Sequence, residues 1–208
     1  MFKSSYILLL VQAILASLLF TSCTENEEES NEYDNWEARN IEYFNRIYNT
    51  ASTSNDAKWK IIRKWSFEEG MATLPEHHIV VEVLQESQSP TATESPLFTD
   101  SAYVNYRGRL IPTEHNAEGL VFDETYSSKE YVEELAQPRL FCVGTGVVDG
   151  MATALMNMHI GDHWRVYIPY QLGYNTSVTG SIPAYSTLIF DLSLMAYYRA
   201  GTTVPTWK

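Results

Sequence analysis

The residues able to do covalent chemistry are scattered, and no familiar constellation forms. The five histidines are dispersed. His77 and His78 open a β-branched run, where adjacent side chains point to opposite faces and cannot share a metal. His159 and His163 flank the Gly161-Asp162 turn and are expected at the surface. The chain has no His-Glu-x-x-His, no Cys-x-x-Cys, no phosphate loop and no dinucleotide fingerprint. No Ser/His/Asp grouping emerges either, so neither metal nor cofactor is expected. What remains is an ordered series of aromatic, glycine and apolar positions. It begins with Tyr106 and Gly108, continues with Phe122-Asp123, and runs on through Val147-Val148-Asp149-Gly150-Met151, Tyr174, Ile182-Pro183 and Phe190. Asp123 is the sharpest of these, because a carboxylate beside apolar surface is costly without a partner or a role. Tyr106 and Tyr174 are informative as well, since a buried tyrosine needs a partner for its hydroxyl. Val147 and Phe190 suit a core as well as a site, and Phe141 is expected in the core.

These positions need elements to hold them. His78 to Leu84 is β-branched, bounded by Pro75 and a Ser/Thr/Pro-rich loop, and predicts a strand. Ala102, Val104, Tyr106 and Leu110 alternate with polar partners, with Gly108 interrupting as at a bulge. A long polar loop over 111–119 follows. Leu140 to Val143 predicts a short strand, and Met151 to Met158 a short helix closed by Gly161. Val166 and Ile168 share a face, and Leu188, Phe190, Leu192 and Leu194 mark a terminal strand. Strands dominate and no βαβ rhythm or internal repeat appears. The expected class is α+β, an antiparallel sheet packed on one short helix.

Ahead of this domain, over 76–208, lies an extension over 35–75. Ile41, Phe44 and Tyr48 fall on one helical face, with Trp36 and Ile47 near it and Asp34 or Asn35 placed to cap. Trp59, Ile62 and Trp65 suggest a second short helix. The pair could be an arm for dimerisation or client capture; folding back onto the domain is the simpler expectation. Residues 23–34 are acidic, nearly free of apolar groups, and read as a solvated tether.

Residues 1–22 carry Lys3, an apolar run from Tyr6 to Phe20, and small residues before Cys23. The run is too short for a convincing membrane span and matches a secretion signal. A cysteine directly after it resembles a bacterial lipoprotein, in which the mature chain begins at a lipidated Cys23. That likeness places the protein in the cell envelope. The acidic residues that follow fit an outer-membrane lipoprotein of a Gram-negative bacterium, on its periplasmic or surface face. With Cys23 lipidated, Cys142 has no partner and is expected as a buried, inert thiol. The 208 residues suffice for a proper core. The net charge of −12 argues against nucleic acid and against a polybasic membrane patch.

Number, order and spacing of the motifs from Val104 to Leu192 closely resemble the FKBP-type peptidyl-prolyl cis-trans isomerases, over about residues 76–197. The resemblance implies a curved antiparallel sheet wrapped around one short helix, with an apolar pocket between helix, sheet and loops. Position by position, it assigns the pocket to Tyr106, Phe122, Asp123, Val147, Val148, Met151, Tyr174, Ile182 and Phe190. Met151 would be the floor. The Val148 N–H would bond a substrate carbonyl, the Tyr174 hydroxyl another part of the bound chain, and Asp123 would sit at the rim near the twisting amide. The family's implied activity is isomerisation of X–Pro bonds, here in exported proteins. The same pocket could serve a non-catalytic chaperone for proline-containing segments, and would admit macrolide-type inhibitors. The chain departs from the pattern at Met151, where tryptophan is usual, at Asn175 and Ala184, and at Arg139, often aromatic. The 111–119 loop is long and placed to reshape the rim.

Overall fold

β-Branched and aromatic residues at alternate positions form strands where partners lie alongside. The computed structural model describes residues 31–88 and 93–207. Their order is α1 (Trp36–Thr53), β1 (Trp59–Arg63), β2 (His78–Gln85), β3 (Ser101–Arg109), β4 (Val121–Glu124), β5 (Arg139–Cys142), α2 (Asp149–Leu155), β6 (His163–Ile168) and β7 (Leu188–Tyr198). The strands pair antiparallel in the order β1-β2-β6-β7-β3-β4, and β5 shares the outer edge of β3 with β4. This is the α+β class read from the sequence, with a helix on each face of the sheet. The lipoprotein signal over 1–22, Cys23 and the first part of the tether lie outside the described residues. Among the described residues no helix is long and apolar enough to cross a membrane.

Alternation divides the sheet. Ile79 and Val81, Val166 and Ile168, Phe190 and Leu192 turn to one face and pack with Met151 and Leu155 of α2. Val80, Tyr167 and Ile189 turn to the other, where Phe44 and Ala51 of α1 pack on them. A helix can settle so closely on β6 because Gly150 has no side chain. A Cβ there would lie 2.3 Å from Ile168 Cγ2.

Several local expectations are corrected. Trp59–Arg63 is not helical but an edge strand paired with His78–Glu82. Three-residue apolar spacing over five residues does not distinguish the two, and pairing with β2 satisfies backbone groups that a lone turn of helix would leave open. Trp65 follows the strand and packs on Phe98 with ring centroids 4.3 Å apart. The buried stripe of α1 is Trp36, Asn40, Phe44 and Ala51, while Ile41 is exposed. Asn35 stands at the N-cap, but with φ 51° and without a side-chain cap. Glu32 is not free tether: its Oε1 accepts from Thr113 Oγ1 at 2.5 Å and Asn116 Nδ2 at 2.7 Å. That contact ties down the 111–119 loop. α2 ends at Leu155, and Gly161 (φ 94°) serves the following turn instead, where Asp162 N–H donates to His159 O. Cys142 is exposed, because β5 is a short edge strand in which only Phe141 turns inward. His163 is half-buried rather than on the surface, its ring 4.9 Å from that of Tyr131.

Candidate active site

The site is assembled where β4 and β5 meet along β3. β5 pairs with β3 as far as Val104, and β4 takes over from Arg107. Tyr106 falls in the gap, its backbone fixed by Thr125, whose Oγ1 accepts from Tyr106 N–H at 2.9 Å and whose N–H donates to Tyr106 O at 2.9 Å. The β3–β4 register shifts after Gly108, pairing Gly108 with Asp123 and Arg109 with Val121. Phe122 is therefore the extra residue of a bulge. In a regular strand Phe122 and Asp123 would face opposite ways; the bulge lets both line one cavity. Gly108 makes the room: a Cβ would lie 2.5 Å from the Phe122 ring and 2.7 Å from that of Phe190.

The cavity measures about 260 Å³. An apolar cavity of about 150 Å³ holds benzene, so a prolyl ring fits here with space to turn. Every position assigned by the resemblance lines it: Tyr106, Phe122, Asp123, Val147, Val148, Met151, Tyr174, Ile182 and Phe190. Phe122 and Phe190 meet edge-to-face at 5.5 Å, and Tyr106 lies 6.0 Å from Phe190. Met151 is buried at the start of α2, and Val148 is the residue that caps that helix. Phe141, expected as core, also lines the cavity, its ring 5.7 Å from that of Tyr106. Sequence reasoning passed over Gly146, Thr179, Gly180 and Ser181, small residues of two loops with no pattern to mark them. No residue of the 111–119 loop lines the cavity.

Charge is confined to one edge. Among the described residues Asp123 is the only charged side chain lining the cavity. Tyr106 Oη donates to Asp123 Oδ2 at 2.5 Å and accepts from Arg139 Nη1 at 2.5 Å, while Arg139 Nη1 also reaches Asp123 Oδ2 at 2.8 Å. Arg139 thus stands over the carboxylate, a partner for which the sequence offered no signal. Burial, then the hydrogen bond to Asp123, pushes the Tyr106 hydroxyl far above the usual phenol range. Burial, then the charge of Asp123, raises that of Tyr174 as well. Both remain protonated donors at neutral pH. Among the described residues the Tyr174 hydroxyl has no hydrogen-bond partner, leaving it available to a ligand. Asn175 keeps the following turn with φ 55°. No group of three or more metal-binding side chains occurs among the described residues.

Comparison with known proteins gives a consistent result. A family model described as FKBP-type peptidyl-prolyl cis-trans isomerase matches residues 93–195. The macrophage infectivity potentiator of Trypanosoma cruzi is 34% identical over 120 residues, covering 57% of this chain and 54% of the relative. The FKBP-type peptidyl-prolyl cis-trans isomerase FkpA of Escherichia coli is 31% identical over 145 residues, covering 69% of this chain and 47% of the relative. The chain spans about half the length of the curated relatives it matches. The crystal structure of FkpA aligns with a TM-score of 0.56 at 24% identity, covering 80% of this chain and 63% of that one. A peptidyl-prolyl cis-trans isomerase from Pseudomonas syringae aligns with a TM-score of 0.52 at 22% identity, covering 77% and 94%. At such identities the likeness is one of fold.

Proposed function

Because the chain belongs, through residues 93–195, to the FKBP-type peptidyl-prolyl cis-trans isomerase family, we propose that it catalyses cis–trans isomerisation of X–Pro bonds in polypeptides. Rotation about an amide C–N bond has a barrier of about 18–20 kcal/mol, because twisting destroys resonance. X–Pro bonds populate both isomers, and their exchange limits folding. The twisted amide is less polar across C–N than the planar one, and its carbonyl swings out of plane. No nucleophile is required. An aromatic pocket that excludes water favours that state over the planar, resonance-polarised amide, and fixed donors can hold the rotated carbonyl.

The observation that carries this reading is the polarity of the cavity: apolar and aromatic surface, with Asp123 the one charged group lining it among the described residues. In the proposed mechanism the prolyl ring sits on Met151 between Phe122, Val147, Ile182 and Phe190. The Val148 N–H and the Tyr174 hydroxyl hold the substrate backbone. Asp123, kept in place by Tyr106 and Arg139, faces the twisting amide. Each tenfold in rate needs about 1.4 kcal/mol of preferential stabilisation, within reach of a few such contacts. Substrates would be exported or envelope proteins, met through a lipid anchor at Cys23, and the pocket would admit macrolide-type inhibitors.

An isomerisation assay on a proline-containing tetrapeptide tests the reading with the soluble chain from residue 31. Asp123→Ala and Tyr174→Phe should each lower kcat/KM by about tenfold or more with unfolding transitions preserved. Peptide binding without acceleration would make the pocket a binding module. Absence of both binding and acceleration would remove the isomerase reading altogether.

A further inference from the structure

The wall residue Ile182 is carried by a turn that does not stand alone. Residues 182–187 leave the cavity and enter β7 at Leu188. They pass through Tyr185 at φ 63°, a left-handed conformation that a bulky L-residue keeps only when its surroundings hold it. Ile182 pairs with Thr179, its N–H donating to Thr179 O at 2.9 Å and Thr179 N–H donating to Ile182 O at 3.0 Å. Tyr185 N–H donates to Asn175 O at 2.9 Å, and within the loop Ser186 Oγ donates to Pro183 O at 2.7 Å. The end of the loop that enters β7 is tied to α1. Trp36 Nε1–H donates to Ser186 Oγ at 2.9 Å. Asn40 Oδ1 accepts from Thr187 N–H at 2.7 Å, and Asn40 O accepts from Thr187 Oγ1 at 3.3 Å. Trp36 and Asn40 are four apart and so lie on one helical face.

All four side chains are buried: Trp36 at 6% exposure, Asn40 at 0%, Ser186 at 3% and Thr187 at 1%. Covering the sheet needs none of this polarity, since Phe44 and Ala51 already pack on Val80, Tyr167 and Ile189. Buried polar groups are costly unless matched; Asn40 Nδ2 donates to Trp36 O within the helix, while Trp36 Nε1 and Asn40 Oδ1 are matched to the turn behind Ile182. No α1 residue lines the cavity, so the influence runs through Ser186 and Pro183.

We propose that α1 is a brace for the active-site loop, with Trp36 and Asn40 as positioning residues that set the place of Ile182 in the prolyl pocket. Its kinetic consequence rests on the isomerase reading; its structural consequence does not. The loop would bind substrate in both ground and transition states, so loosening it raises KM more than it lowers kcat.

Trp36→Phe keeps an aromatic ring, though a smaller one, and removes the donor. We expect faster amide hydrogen exchange at Ile182 and Tyr185 with sheet amides unchanged. We also expect KM to rise about three- to tenfold, the reach of one lost hydrogen bond, with kcat nearly constant. Ser186→Ala attacks the same bond from the other side, and adding Trp36→Phe to it should bring no further change. Phe44→Leu loosens the packing of α1 without touching the loop; it should lower Tm and leave KM alone. Unaltered exchange at Ile182 and Tyr185 in Trp36→Phe, additive effects in the double variant, or an equal KM rise in Phe44→Leu would each overturn the brace. If the wild-type chain accelerates no peptide, the isomerase reading falls and the exchange measurement alone decides the brace.

Discussion

Phe190 and Asp191 are neighbours on β7 and serve opposite ends. Phe190 turns to the α2 face, where its ring meets those of Phe122 and Tyr106 over the cavity. Asp191 turns to the face on which α1 packs and takes both Arg165, through Nε at 2.6 Å, and Arg109, through Nη2 at 3.0 Å. β3 repeats the division: Gly108 opens the pocket, while Arg107 is occupied on its own side by Glu124 at 2.7 Å and the carbonyls of Tyr126 and Ser128. One sheet thus keeps an apolar face with unfilled space and an opposite face on which Arg107, Arg109 and Arg165 are each paired with a carboxylate. A pocket for a weakly polar twisted amide requires that separation, because a stray guanidinium in the cavity would favour the planar, polarised amide instead.

The largest test sets those two neighbours against each other. Phe190→Ala should cost about 3–5 kcal/mol of stability and lower kcat/KM by tenfold or more, roughly, since wall and fold are lost together. Asp191→Ala leaves two guanidiniums facing each other and should cost about 3 kcal/mol, yet the folded protein should isomerise at the wild-type rate. Urea unfolding and an assay well below Tm separate the effects. A comparable fall in kcat/KM for Asp191→Ala would show that the faces are not independent.

That division was legible in part. The alternation of Val104 and Tyr106 or of Leu188, Phe190 and Leu192 fixes which side chains share a face, because the period of a strand admits no other reading. The pocket positions could be placed by resemblance, and they do converge on one cavity. Pairing between distant segments leaves a weaker trace. β1 is half-buried along most of its length, so it shows no alternation, and only its register with β2 makes it a strand. The face of α1 was displaced toward Ile41 because apolar periodicity cannot credit a buried Asn40. Cys142 looked buried because an apolar run on an edge strand reads like one in a core. Arg139 looked like a departure from pattern, whereas its guanidinium partners Asp123 and Tyr106 across the rim.

Smaller effects are expected at that rim, where the cavity face meets water. Tyr106→Phe removes the hydroxyl between Asp123 and Arg139 and should change stability by about 1 kcal/mol, with kcat/KM down about three- to tenfold. Arg139→Gln breaks a half-exposed ion pair worth at most about 1 kcal/mol, and its effect should appear in kcat/KM rather than in unfolding. A loss of stability at the rim as large as that at Phe190 would mean that this edge belongs to the core.

The smallest effect is an acid limb that belongs to the α1 face. His163 lies on the face of Arg165 and Tyr167, half-buried against Tyr131, with Nε2 unpartnered. Burial, reinforced by Arg165 and opposed by Asp191, lowers its pKa below 6.5. The unfolded chain then takes up a proton near pH 6.5 that the folded chain refuses, so stability is complete above 6.5 and falls as pH drops toward the lowered value. Glu32, also lowered, titrates below 4.5 and leaves that window clear. The sign reverses for raised tyrosines, which lie on both faces: Tyr131 and Tyr167 with His163, and Tyr106 and Tyr174 at the cavity. Tyr106 and Tyr174 are raised above 10, so their contribution is complete below pH 10 and is lost as pH rises through the raised values. Urea titrations from pH 8 to 5 should show unfolding coupled to uptake of about one proton, and His163→Gln should flatten that limb while sparing the alkaline one. kcat/KM should stay level up to pH 10, because the pocket tyrosines keep their protons. An acid limb unchanged in His163→Gln would place the responsible group elsewhere than on the α1 face.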